Sequence, residues 1–218
     1  KQSKNVVCCS KSIYDKMKKD YPNKNFKYIQ NGVDTKFFKA LEKEEKDIKK
    51  INIKFNLQDK IFICTNSFIP RKRIEETIKI FNLIEEENKK LLLLGDGLEF
   101  EKIKSNYENY KDIFFMGKTN KILDYLQISD YFISSSESEG LPNAVLEALS
   151  CEVPVILSDI VQHKEIENEI KNIGIIYKLG CPEEIVKKYV KVGSEQYKIY
   201  KDNTKKIQES VFTMKKMS

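Results

Sequence analysis

The chain has 218 residues, 40% of them hydrophobic, which suffices for one good-sized core plus an extra piece but not for two full Rossmann-like domains. Its 39 basic and 33 acidic residues leave +6, yet Lys and Glu are interleaved through helical stretches, so the charge reads as solvated surface. With no concentrated basic patch and no reader motif, a nucleic-acid-binding domain is disfavoured in spite of eleven tyrosines.

Taken in order, Asn5 to Ser10 (NVVCCS) reads as a short strand, and Ser10 is placed to cap a helix reaching about Lys19. Tyr28 to Asp34 is expected to be a second strand ending in an Asn-Gly turn, ahead of Phe37 and Phe38. Residues 1–40 would then be a single αβ unit, too small to fold alone. Lys43 to Lys60 reads as a charge-rich linker with a short helix. From Lys60 an alternation sets in, with strands at Ile61 to Thr65, Lys90 to Leu94 and Ile113 to Gly117, and helices at Ile74 to Glu87, Leu98 to Asn106 and about Lys121 to Ile128. A βαβ unit follows between Asp130 and Asp159: strand Tyr131 to Ser134, polar loop Ser135 to Gly140, a helix with Pro142 at its first position running to about Ser150, and strand Val153 to Leu157. Ile173 to Tyr177 supplies a last strand and Pro182 to Val192 a helix. This pattern predicts an α/β fold, a doubly wound parallel sheet of Rossmann-like type, with ligands beyond the carboxyl ends of the strands. About Gln196 to Met217 is expected to be one amphipathic helix, striped by Tyr197, Tyr200, Thr204, Ile207, Val211 and Met214.

Cys8, Cys9, Cys64, Cys151 and Cys181 form no C-x-x-C pair and leave one over, the usage of a reducing, cytosolic compartment, and Cys8, Cys64 and Cys151 read as small core residues. No apolar run approaches the roughly twenty residues of a membrane span, and no signal peptide is expected.

Three stretches carry chemistry. Arg71, Lys72 and Arg73 stand at the start of a helix, where cations oppose the macrodipole by about 0.3–1 kcal/mol each, so an anion is expected to offset them; the alternative is a solvated basic turn. Gly95-Asp96-Gly97 invites a dinucleotide fingerprint, but Phe100 stands where the third glycine belongs and no acidic residue ends the next strand, which argues against NAD. Glu139 in the loop and Glu147 in the helix lie about 7 Å apart along the helix axis, a separation suited to the hydroxyls of a ligand instead of a metal, with amides of the helix N-terminus offered to an anion between them. The competing reading makes Glu139 a loop carboxylate near a positive helix end and Glu147 a solvated residue. The sole histidine, His163, reads as a polar residue at a helix start, with a substrate contact as the alternative.

The wording of Glu139-Gly-Leu-Pro-Asn-Ala-Val-Leu-Glu147, continuing into Pro154-Val-Ile, resembles the E-x7-E segment of retaining family 4 glycosyltransferases of GT-B architecture. The V-x-x-S before the first helix and Asn31-Gly-Val-Asp34 with Phe38 resemble the point where that family's acceptor-side domain ends and the hinge begins. The resemblance implies an acceptor-side remnant and hinge at 1–40, a nucleotide-sugar-binding domain at 41–195 and a C-terminal helix at 196–218. It implies metal-independent transfer of a sugar, with retention, from a nucleotide diphosphate to an acceptor hydroxyl. Surface glycan synthesis is the associated pathway, and the isolated chain would be incomplete. Glu139 would bind a donor-sugar hydroxyl and act in catalysis with Lys72, which matches the family lysine at the diphosphate. Glu147 would bind the ribose; Gly140, Leu141, Asn143 and Ala144 would line the substrate; Lys118 to Asn120 would lie by the base. Ser67 stands where the family carries an Arg, Pro142 replaces a frequent Gly and removes an N–H, and Glu152 replaces a helix-closing Gly, where a left-handed cap would be strained. No cofactor is implied beyond the sugar nucleotide, UDP-sugar favoured. The implied partners are a glycan or lipid-linked acceptor and, through an absent N-terminal domain, a peripheral membrane contact at the inner face; the competing class is a non-enzymatic nucleotide-sugar-binding domain.

Overall fold

The computed structural model describes residues 5–214. The first unit comprises β1 (Asn5–Cys8), α1 (Lys11–Asp20) and β2 (Asn25–Tyr28), the two strands pairing in parallel from Asn5 opposite Asn25 to Cys8 opposite Tyr28. Ser10 caps α1 as expected, its hydroxyl accepting from the Ile13 amide at 3.4 Å. The second strand lies earlier than the sequence pattern suggested, because beyond Ile29, whose amide still donates to the Cys8 carbonyl (3.0 Å), the chain leaves β1 to meet the segment around Phe212. Val33 N–H donates to the Phe212 carbonyl (2.8 Å) and Met214 N–H to the Val33 carbonyl (3.1 Å). Gly32 is therefore not a turn glycine but a site of close approach, where a Cβ would stand 2.6 Å from the Thr213 carbonyl carbon.

The main body begins with α2 (Lys43–Asn52), followed by β3 (Lys60–Thr65), α3 (Ile74–Leu83), β4 (Lys89–Leu94), α4 (Phe100–Tyr107), β5 (Ile113–Gly117), α5 (Ile122–Ile128) and β6 (Tyr131–Ser134). It continues through α6 (Asn143–Ser150), β7 (Val155–Ser158), α7 (Val161–Glu169), β8 (Gly174–Tyr177), α8 (Glu184–Tyr189) and α9 (Ser194–Thr204). The six strands β3 to β8 form one parallel sheet in the order β5-β4-β3-β6-β7-β8. Their continuous apolar runs follow from burial on both faces. On one face Ile61, Ile63, Leu92 and Leu94 pack with Val145, Leu146 and Leu149 of α6; on the other Phe62, Cys64, Leu91 and Leu93 pack with Ile74, Ile78 and Phe81 of α3. Cys8, Cys64 and Cys151 are buried, as their small apolar character suggested.

Several helices are shorter than the periodicity predicts. α3 stops at Leu83 because Lys89 Nζ takes the carbonyls of Phe81 (2.7 Å) and Ile84 (2.5 Å), closing the helix and turning the chain into β4. The last helix departs furthest: α9 ends at Thr204 and gives way to a 3-10 turn at Lys205–Gln208. Tyr200, Thr204 and Ile207 of the expected stripe are buried, but Val211 and Met214 are 42% and 56% exposed. A straight helix would carry Phe212 away from the core it shares with Ile207 and α6; Ser210 instead hydrogen-bonds the Ile207 carbonyl (2.9 Å) and the Phe212 amide (3.2 Å), so the tail folds back to Val33. The end of the expected helix, from Lys215 on, lies outside the described residues.

The first unit also grips the main body through α7. Glu165 accepts from the Lys11 amide (2.7 Å) and the Ser12 hydroxyl (3.0 Å), capping the N-terminus of α1 across the boundary. Among the described residues no helix is long and apolar enough to cross a membrane.

Candidate functional site

In a sheet of this order the winding reverses between β3 and β6, and the crevice beyond their carboxyl ends is the place where α/β sheets hold ligands. The loop after β3 runs through a 3-10 turn at Pro70–Lys72, begun by Pro70, to Arg73 in the left-handed region at φ 49°. That strained residue is held by its own side chain: the Arg73 guanidinium pairs with Glu76 at 2.6 Å, and Glu76, 6% exposed, also accepts from the Tyr177 hydroxyl and the Gly180 amide, each at 3.0 Å.

The loop after β6 is stitched to the loop after β3. Glu137 N–H donates to the Arg71 carbonyl (2.9 Å), and Arg71 Nη1 donates to the Ser138 carbonyl (2.8 Å). Together these contacts deliver Glu139 to Lys72, Oε1 to Nζ, at 2.5 Å, with the two side chains only 8% and 11% exposed and Arg71 a further 3.6 Å from Oε2. The anion expected opposite the three cations is thus supplied by the chain itself, through Glu139, Glu76 and, at 3.9 Å from Arg73, Glu137. The serines that look like loop filler fix its course. Ser135 shares a hydrogen bond with Thr77 at 2.9 Å, and Ser158 donates to the Ser136 carbonyl at 2.6 Å.

His163 sits beneath this loop, fully buried in α7, with Nδ1 donating to the Ser158 carbonyl at 2.9 Å. Burial pushes its pKa down to about 4, so the ring is neutral. It lies near the helix start with no exposed surface, and its Nε2 is buried without a hydrogen-bond partner among the described residues.

A cavity of about 600 Å³ opens beside the Lys72–Glu139 pair. Its wall is built from the ends of three strands and from α6: Asn66, Ser67 and Lys72 after β3, Gly95 to Gly97 after β4, Lys118 and Thr119 after β5, and Ala144 and Glu147 on α6. Ser67, Lys72, Lys118, Ala144 and Glu147 are thereby brought together from the residues singled out in the sequence. Glu139 joins them through Lys72. Gly140 lies instead against the first unit, where a Cβ would stand 3.1 Å from Cys9 Sγ. Leu141 is 6% exposed and belongs to the apolar core, while Asn143 is exposed at the start of α6.

Glu147 is the second unusual acid. Among the described residues its carboxylate has no hydrogen bond or ion pair, and burial pushes its pKa up to about 7. The start of α6 differs from expectation in two ways. Pro142 is the capping residue, not the first helical one, and the Asn143, Val145 and Leu146 amides are taken by the Leu141 and Pro142 carbonyls, so fewer amides face an anion. At the other end Glu152 adopts φ 57°, so the left-handed cap forms in spite of the strain expected of a non-glycine there.

The β4 loop contributes residues that sequence reasoning left unassigned to the wall. Gly95 has φ +134°, and a Cβ there would stand 1.9 Å from the Asn66 carbonyl oxygen. Gly95→Ala is expected to cost about 2–4 kcal/mol through backbone strain plus overpacking. A melting curve superimposable on the parent's would contradict the tight apposition of the β3 and β4 loops.

Compared with known proteins, residues 44–209 match the family model described as glycosyl transferases group 1. The chain is 29% identical over 155 residues, 65% of its length and 39% of the relative's, to N-acetyl-alpha-D-glucosaminyl L-malate synthase of Bacillus anthracis. It is 32% identical over 162 residues, 70% of its length and 40% of the relative's, to the UDP-Gal:alpha-D-GlcNAc-diphosphoundecaprenol alpha-1,3-galactosyltransferase of Escherichia coli. Each match therefore spans about two-fifths of the curated relative. Among solved structures, HepE of Anabaena in complex with UDP and glucose superposes with a TM-score of 0.83 at 15% identity, covering 99% of this chain and 61% of that one, a likeness of fold.

Proposed function

The chain belongs to the glycosyl transferases group 1 family, and from that premise we propose that it is the donor-binding part of a retaining glycosyltransferase moving a sugar from a nucleoside diphosphate to an acceptor hydroxyl. The observation that carries the reading is that Lys72 and Glu147 line one cavity at the reversal of the sheet winding, with Glu139 paired to Lys72 beside it. A nucleotide sugar has three parts with different chemistry, and the site offers a different group to each. The diphosphate is a dianion or more, and Lys72 supplies a positive charge beside it. The ribose presents two vicinal hydroxyls, and the Glu147 carboxylate is an acceptor with no competing partner. The sugar reaches the loop after β6, where Glu139 is the acid at hand.

Bond cleavage at the anomeric carbon places developing negative charge on the departing diphosphate. Lys72, with Lys118 on the same wall, stabilises that charge electrostatically, the kind of contribution that dominates where charge appears in a low-dielectric cleft. This assigns the leaving-group role to protein cations and makes the reaction independent of a bound metal. UDP-sugars are the favoured donors: the Escherichia coli relative is named for a UDP-Gal donor, and the similarly folded HepE of Anabaena is seen in complex with UDP and glucose. The acceptor is assigned to the class named for the Escherichia coli relative, a lipid-linked glycan, or to a glycan, handled at the inner face of the membrane.

Calorimetric titration of the protein with UDP, GDP and ADP and their hexose conjugates tests the reading. At least one nucleoside diphosphate is expected to bind, and Glu147→Ala to weaken it, whereas Glu139→Ala is expected to weaken only the sugar-bearing form, by about 1.5–3 kcal/mol if a charged hydrogen bond is lost. Equal losses for both ligands in both variants would remove Glu139 from the sugar. A donor that stays untransferred even when an acceptor-side domain is supplied together with acceptors would favour the non-enzymatic alternative.

A further inference from the structure

Lys72 cannot serve an incoming diphosphate and remain fully engaged by Glu139. The pair is short, at 2.5 Å, and largely withdrawn from water, with side chains 11% and 8% exposed. Glu139 is held in place from both sides, by Arg71 at 3.6 Å and by the backbone stitching at Glu137 and Ser138. A carboxylate so fixed is a built-in anion occupying the cation that the ligand needs.

We propose that Glu139 is an intramolecular counter-ion that competes with the diphosphate for Lys72 and thereby makes the site discriminate a sugar-bearing nucleotide from the bare nucleoside diphosphate. The inference rests on the donor-site reading above and deepens it. When a nucleoside diphosphate without sugar enters, its phosphate oxygens draw Lys72 away, and Glu139 is left in a largely dry position with only Arg71 nearby. A poorly compensated buried carboxylate is costly, so the bare nucleotide is held weakly. When the ligand carries a sugar, a hydroxyl donates to the carboxylate released by Lys72, and that cost is recovered. The same competition favours departure of the nucleoside diphosphate after transfer, because the returning Glu139–Lys72 pair displaces it. Lys118, which lines the same cavity, has no ion-pair partner among the described residues and so exerts no such discrimination.

This reading makes an opposite prediction to the usual loss on removing a polar site residue. In Glu139→Gln the competitor is neutral, Lys72 is released to the ligand, and inorganic pyrophosphate and UDP should each bind about tenfold more tightly than to the parent. The ratio of affinities for UDP-glucose and UDP should fall in the same variant. Isothermal titration with pyrophosphate, UDP and UDP-glucose reads all three, and the rise in melting temperature on adding pyrophosphate gives a second measure in case the variant is less stable. The double variant Glu139→Gln/Lys72→Gln should lose the gain, since the cation that carries it is gone. Parent binding of UDP with unchanged or weaker binding by Glu139→Gln overturns the counter-ion role and leaves the donor-site reading standing. Tighter binding that survives in the double variant places the effect elsewhere than Lys72 and also overturns it. Failure of pyrophosphate and of every nucleoside diphosphate to bind the parent overturns both readings.

Discussion

Glu147→Gln is expected to be more stable than the parent protein above pH 7, by about 2 kcal/mol, with the two converging as the pH falls toward 4.5. The Glu147 carboxyl is pushed up to about 7 by burial alone, so the folded chain holds a proton that the unfolded chain gives up near the ordinary glutamate value. The stability contributed by that proton is fully present below the unfolded pKa and is lost as the pH rises through 7. Each pKa unit between the two states corresponds to about 1.4 kcal/mol, and the carboxyl's partial exposure to solvent brings the total down to about 2 kcal/mol. Gln copies the shape of the protonated acid and never ionises. His163 acts in the other direction, because its pKa is pushed down to about 4 and the stability it contributes is lost as the pH falls through that value. It is common to both proteins and cancels in the difference. Melting temperatures measured from pH 5 to 9 give that difference directly; parallel curves would mean that Glu147 is ionised and solvated in the folded chain. The same acid that costs stability at high pH is the acceptor offered to the ribose, so nucleoside diphosphate binding by the parent should strengthen as the pH passes 7 while the variant shows no such rise.

Lys72→Ala is expected to produce the largest loss of ligand affinity of any single change in the cleft. A hydrogen bond to a charged group is worth about 1.5–3 kcal/mol, or roughly ten- to a hundredfold and somewhat beyond in affinity, and here the loss falls on diphosphate and pyrophosphate alike. Removing the cation also leaves Glu139 facing the incoming anion, which adds repulsion. The corresponding nucleoside, with no phosphate, should bind parent and variant equally, and a loss of nucleoside affinity as large as the diphosphate loss would show that the change had acted on the cavity as a whole. The variant should also melt lower, because a largely buried carboxylate loses its partner. Pairing it with Glu139→Gln removes both charges and should recover much of the melting temperature without recovering pyrophosphate binding, separating stability from ligand contact.

The sequence by itself determined the α/β alternation, because a strand buried on both faces must be an uninterrupted apolar run. Ile61 to Cys64, Leu91 to Leu94 and Tyr131 to Ile133 declare themselves without any knowledge of their neighbours. It also singled out Lys72, Glu139 and Glu147, and it marked Glu152 as standing where a left-handed cap would be strained for a non-glycine, the conformation that the residue nevertheless adopts. Local signals were weaker at the ends of elements. The tail from Lys205 carries a helical stripe, yet the helix breaks so that Phe212 can reach the core and Val33 can pair with the returning chain; no periodicity encodes a partner some 180 residues away. The basic turn at Arg71 to Arg73 advertised a missing anion, and only the tertiary structure showed that the anion is Glu139, together with Glu76 and Glu137. Residues 72 and 139 meet because the sheet winding reverses between β3 and β6 and sets their loops side by side. The pKa of Glu147 was likewise out of reach of its spacing, since desolvation depends on what surrounds a helix face and not on which residues lie along it.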